Sequence, residues 1–180
     1  SNVNSSIGRA FRFNAGYLDP DWWSARIWLG TSDNKFDIND LGFIRRNNIT
    51  WGGARLAFRK QEPWGRFINN NIELKYTQNW NRSGLILERQ FEVEQNNLFS
   101  NYWRFGFFGS LFLPGFNDED VFRNDNAWVY KTELWGYGGP SISTDRRKKI
   151  IIGAEFGSGY GKNRGMGYRA NVWLQAKPLE

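Results

Sequence analysis

The sequence predicts an all-β protein: an antiparallel, transmembrane, up-and-down β-barrel, or an arc of a larger barrel, of about nine or ten long strands. Three observations carry this. First, apolar and polar residues alternate. Gly52, Ala54, Leu56 and Phe58 fall on one side of a strand and Arg55 and Arg59 on the other. Ile72, Leu74 and Tyr76 oppose Asn71, Glu73 and Lys75, and Tyr168, Ala170, Val172 and Leu174 oppose Arg169, Asn171, Trp173 and Gln175. Successive side chains of a strand point to opposite faces, so such runs build a sheet with one oily and one hydrated side. Second, the runs last about 9–12 residues where ordinary strands last about 5–6, and about 9–11 tilted residues cross a bilayer. Third, the composition suits strands. Aromatic residues make up 18% of the chain, with 10 Trp, 7 Tyr and 15 Phe, alongside 20 Gly and a single Met. Strands favour aromatic and β-branched side chains, whereas long helices favour Leu, Ala, Glu and Lys.

In chain order the expected strands are 9–18, 23–31, 50–60, 67–78, 84–95, 101–113, 127–137, 148–158 and 166–176. Turn chemistry separates them. Asp19-Pro20-Asp21 closes the first hairpin, Asn79 to Gly84 the fourth strand, and Gly161-Lys162-Asn163-Arg164-Gly165 the last hairpin. Gln61–Arg66 and Asn96–Ser100 read as intermediate connections, and Thr31–Ile49, Pro114–Asn126 and Gly138–Arg147 as long loops. Short turns alternating with longer loops are the habit of bacterial barrels. Trp22, Trp23, Trp51, Trp64, Trp80, Trp103, Trp128 and Trp135 fall near expected strand ends, where such barrels carry interfacial girdles. Nine is an odd count for a closed bacterial barrel, so either the count is off by one strand or the chain is an arc of a larger barrel. No linker, low-complexity tract or internal repeat divides the chain, so residues 1–180 read as a single barrel domain or segment.

Composition also removes function classes. There is no Cys and no His, so disulfides, thiolate metal sites and the commonest general base are absent. No stretch approaches the roughly 20 apolar residues of a membrane helix. A mean hydropathy of -0.64 remains compatible with a barrel whose lumen is polar. The net charge of +6 is spread over alternating strand positions. Its one dense run, Arg146 to Lys149, reads as a turn or membrane-edge patch, and nucleic acid is not an expected partner. Residues 1–7 lack the basic and apolar regions of a signal peptide, so an exported barrel would be met here as a mature segment or an excerpt.

The enzyme readings fail on chemistry. Gly157-Ser158-Gly159 lacks the spacing and the His of a nucleophile elbow, and Gly157–Gly167 lacks the ending of a phosphate loop. Asn117-Asp118-Glu119-Asp120 lacks the spacing of a calcium loop. Glu88, Gln90, Glu92 and Glu94 share one strand face, where acidic ladders inside a barrel meet basic ones such as Arg55, Arg59, Lys75 and Arg169. No catalytic residue, metal ligand or cofactor is expected. The lumen and loop candidates are Asp40, Arg45, Arg46, Arg55, Arg59, Glu73, Lys75 and Glu92.

The string Asn39-Asp40-Leu41-Gly42-Phe43-Ile44-Arg45-Arg46, with Tyr17-Leu18-Asp19-Pro20-Asp21-Trp22-Trp23 upstream, resembles a family of outer-membrane proteins of unknown function. In that family a domain like carbohydrate-binding family nine precedes a long C-terminal barrel. The resemblance implies a location in the cell outer membrane, the lipid bilayer as partner, and an N-terminal domain or other envelope proteins beside this segment. Physically, Gly42 permits a tight turn between Asp40 and the arginine pair, which can bond a lumen carboxylate such as Asp37 or Asp40. The expected function is passive passage or surface binding of a polar solute, with a glycan hinted at only through the absent domain. One alternative is a soluble Trp-rich β-sandwich that binds carbohydrate on platforms such as Trp135-Gly136-Tyr137 or Trp22-Trp23. Another is a purely structural barrel plugged by its own salt bridges.

Overall fold

Nine strands hydrogen-bond side by side because the chain returns on itself at every turn. The structure, a computed structural model, describes residues 8–33, 48–118 and 128–178. The strands are β1 (Ala10–Leu18), β2 (Trp23–Ser32), β3 (Ile49–Lys60), β4 (Phe67–Asn81), β5 (Ile86–Phe99), β6 (Arg104–Leu113), β7 (Gly115–Asn117), β8 (Tyr130–Thr132), β9 (Trp135–Ser143), β10 (Ile150–Gly161) and β11 (Gly165–Ala176). One antiparallel sheet runs β1-β2-β3-β4-β5-β6-β9-β10-β11, and β7 and β8 form a separate two-stranded ribbon inside the β6–β9 connection. The sheet is not closed into a barrel: β1 and β11 each have one neighbour. The strands of the large sheet are 9 to 15 residues long, the longest being β4.

The seventh strand differs from its expected place. Residues 127–137 were expected to form it and Gly138–Arg147 to be a loop. Instead β9 covers Trp135–Ser143, and of the described residues of that stretch before it only the short β8 is a strand. The cause is the run Gly136, Gly138, Gly139 and Pro140, which reads as a breaker. These small residues let neighbouring strands approach closely: a Cβ at Gly139 would lie 1.8 Å from the Phe156 carbonyl oxygen. β4 runs three residues past its expected end, β5 starts two residues later and ends four later than expected, and the connection between them is a tight turn around Gly84, where φ is +82°.

With β9 in place the connections sort by end. At one end lie the turns 19–22, 61–66, 100–103 and 144–149, none longer than six residues. At the other lie the tight turns 82–85 and 162–164 and the two long connections 33–48 and 114–134. The short-turn end also gathers aromatic rings. Tyr17 packs on Trp23 at 4.8 Å, Trp22 stacks on Phe58 at 6.0 Å, and Trp64, Phe67 and Phe99 follow one another at 5.2 and 5.0 Å. Trp103 directly precedes β6. Trp51 breaks the girdle pattern: it sits inside β3 with its ring over Gly30.

Register separates two faces. Tyr17, Ala25, Leu56, Leu74, Val93 and Gly109 lie in one cross-strand row; Gly16, Arg26, Arg55, Lys75, Glu92, Ser110 and Tyr137 lie in the adjacent row on the other side. The expected alternations in β3, β4 and β11 all hold in this register. Burial is inverted relative to a water-soluble sheet. Leu74, Phe91, Phe107, Leu111, Phe156 and Leu174 are exposed on the apolar face. The two fully buried hydrophobics, Ala57 and Ile151, belong to the charged face, as do buried Gly30, Ser32, Ser143 and Gly153. In β10 the alternation is plain: Ile150 and Ile152 are exposed, Ile151 and Gly153 buried. Large charged and aromatic side chains crowd over the second face and cover its small residues.

Candidate functional site

Charges on the crowded face are sorted across the sheet. Strands β1, β2 and β3 place Arg12, Arg26, Arg55 and Arg59 on this face and contain no carboxylate. β4 supplies Glu73 and Lys75, and β5 supplies Glu88, Glu92 and Glu94. Antiparallel pairing sets Arg26, Arg55, Lys75 and Glu92 directly opposite one another on successive strands. Three cations in a row repel across about 5 Å; Glu73, diagonal to Arg55, and Glu92, directly opposite Lys75, offset part of this repulsion. Arg55 Nη2 donates to Glu73 Oε2 at 2.5 Å, and Lys75 Nζ to Glu92 Oε2 at 2.5 Å. Three of the four side chains are about a third exposed and Glu73 about a fifth, so each pair contributes modestly to stability, about 0–1 kcal/mol, and mainly shapes the field at the surface.

The expected candidates thus divide. Arg55, Glu73, Lys75 and Glu92 come together as one ladder. Arg59 shares their face four residues along β3 and is exposed. Asp40, Arg45 and Arg46 lie outside the described residues, with the motif that contains them. The acidic stretch near Asp118 is described only as far as that residue, whose Oδ2 accepts from Asn81 Nδ2 at 3.0 Å. The acidic ladder Glu88, Glu92 and Glu94 does line one face of β5; Glu94 accepts from Asn96 Nδ2 at 2.8 Å.

Sequence reading missed Arg26. It lies opposite Arg55, and its Nη2 donates to Asn14 Oδ1 at 2.9 Å on β1. Basic alternation in β2 is the signal that was available, but only register places it beside Arg55. Three tryptophans were also missed as a set. Trp51 covers Gly30, Trp28 covers Gly53 and Trp173 covers Gly153, each across a directly paired position. A Cβ at any of these glycines would fall 2.2–2.3 Å from the ring. Flat indoles therefore line the charged face, Trp28 and Trp51 near the ladder and Trp173 on the far edge strand.

A second aromatic group lies toward the long-loop end. Phe112 stacks on Trp135 at 4.1 Å with the rings nearly parallel, Trp135 stacks on Tyr137 at 5.6 Å, and the Arg164 guanidinium lies 4.8 Å from the Trp135 ring. These rings share the face of Ser110 and Gln90. The platform expected at Trp135-Gly136-Tyr137 therefore exists as a stack, with Gly136 turned to the opposite face.

The basic run Arg146 to Lys149 is the turn between β9 and β10. Buried Asp145 holds it, accepting from Arg147 Nε and Nη2 at 2.9 and 2.8 Å, while the Arg147 guanidinium lies over the Tyr102 ring at 3.0 Å. The hydrogen bonds from the Arg147 side chain draw the Asp145 carboxyl down from 3.8 to about 2, and the same contact raises Arg147. This turn is a staple.

The apolar face carries a broad open depression of about 1220 Å³ reaching from β2 to β11, bordered by Leu56, Leu74, Phe91, Leu111, Phe156 and Tyr168. Among the described residues no second sheet covers it.

Residues 2–178 match the family model described as a domain of unknown function, DUF5916. No curated protein and no solved structure matches the chain.

Proposed function

We propose that this chain, which belongs to the DUF5916 family of unknown function, is a stretch of transmembrane β-barrel wall in a cell outer membrane, serving passive passage or surface binding of a polar solute. The inverted burial carries the proposal. A sheet whose large hydrophobics stand exposed along nine strands, while its charged side is the crowded one, has the polarity of a wall between lipid and a wet lumen. Strands of 9 to 15 residues suit a hydrocarbon core of about 30 Å when tilted. Short turns at one end, longer loops at the other and an aromatic belt at the short-turn end support the same reading. The open edges β1 and β11 are where further strands, of a longer chain or of another copy, would complete the wall. Within the lumen the cationic β1–β3 and the acidic β5 set a lateral field that selects solutes, with no covalent chemistry.

The depression on the apolar face favours a second reading: an open amphipathic sheet that cradles an apolar ligand without spanning a membrane. The purified chain distinguishes the two. A wall segment aggregates in plain buffer and folds in detergent to a β-rich species whose gel mobility shifts on heating. A monodisperse, β-rich chain in buffer alone sinks the membrane proposal and leaves the second reading. Conductance steps in planar bilayers would then separate an open lumen from a plugged one.

A further inference from the structure

We infer that Arg26, Arg55 and Arg59 form a binding site for an oxyanion, of the carboxylate, sulfate or phosphate class. The three arginines, with Asn14 and Ser24, border one recess of about 340 Å³ on the charged face over β1–β3. Arg26 and Arg55 stand directly opposite each other, an arrangement of like charges that is unfavourable unless an anion lies between them. The carboxylates at hand do not suffice. Glu73 takes one Nη of Arg55, and Lys75 takes Glu92. Arg26 is held by the neutral amide of Asn14, and among the described residues no carboxylate pairs with Arg26 or Arg59.

Glu73 does not saturate Arg55, whose Nε has no hydrogen-bond partner although guanidinium N–H groups are almost always satisfied. Guanidinium groups present forked donors that match the oxygens of a carboxylate, sulfate or phosphate. A single oxyanion in the recess would answer the opposed charges and supply acceptors to Arg26 and Arg59. The absence of any carboxylate from β1, β2 and β3 keeps the recess electropositive. The site stands on the geometry of the charged face and does not need the membrane reading.

The test uses the folded chain, in buffer or detergent as its solubility dictates, with arginine labelled by ¹⁵N. Side-chain Nε–Hε signals are followed while inorganic phosphate, and separately acetate, is titrated at constant ionic strength. Saturable shifts of a small set of arginine signals with either anion are expected. Arg26→Gln combined with Arg59→Gln, both exposed positions, should weaken binding at least about tenfold, the worth of one charge-assisted bond. Lys149→Gln, in the distant β9–β10 turn, should leave it unchanged. Linear, unsaturated shifts with both anions, or binding equal in the double variant and the parent, overturn the site. Failure of the membrane reading shows separately, as folding in plain buffer, so a chain that folds there and binds phosphate loses that reading and keeps this one.

Discussion

At the scale of single residues, Asp145 shows how one buried carboxylate organises a turn. It accepts from three Arg147 donors, the backbone N–H, Nε and Nη2, and so fixes the sharp return from β9 to β10. Its folded-state pKa of about 2 lies below the ordinary 3.8. The turn's contribution is therefore present in full above the ordinary carboxylate range and is lost as pH falls through about 2. Asp145→Asn should lower the urea midpoint by a constant amount above about pH 5, and that deficit should shrink as both proteins approach pH 2. A deficit that stays constant down to pH 2 would show that the charge of Asp145 is not what holds the turn.

Among the elements, β9 is the instructive one. Its composition, Trp-Gly-Tyr-Gly-Gly-Pro-Ser-Ile-Ser, argues against a strand by propensity alone. Tertiary pairing overrides that bias because β6 and β10 approach it so closely that larger side chains have no room on one side. Gly139→Val should therefore destabilise the sheet by about 1–3 kcal/mol or more, as overpacking does. Gly167→Ala, where a Cβ meets nothing within 4 Å, should change stability little. Paired urea melts of the two variants check this, and equal midpoints would mean that β9 is not seated between β6 and β10. Pro140 fits the same strand on the face it shares with Phe107, at the cost of one ladder donor. Breaker residues misled the sequence reading here because they mark close approach as readily as they mark loops.

Across the whole molecule, the proposed membrane wall would put different solvents on the two sides of the sheet, so that neighbouring residues report different media. The chain contains no cysteine, so single reporters can be placed freely. Leu74 and Thr77 lie on β4, on the apolar and the charged face respectively. After reconstitution in vesicles, an environment-sensitive fluorophore at Leu74→Cys should emit blue-shifted and resist aqueous iodide. The same label at Thr77→Cys should emit further to the red and be quenched. Matching emission and quenching at both sites would remove the two-solvent arrangement.

The residue sequence by itself determined the strand class, the length of the strands, the two-sided alternation and most of the turns. These follow from local stereochemistry: a period of two, and Gly, Asn and Asp where the chain reverses. It also placed Arg55, Glu73, Lys75 and Glu92 on one side of their strands. Tertiary structure alone decided the rest. Register brought Arg26 opposite Arg55, set three indoles over three glycines, and made a strand of β9. Each depends on which residue of a distant strand lies opposite, and sequence spacing carries no record of that. Whether the sheet closed or stayed open was likewise decided by pairing, since β1 and β11 each find only one neighbour among the described residues.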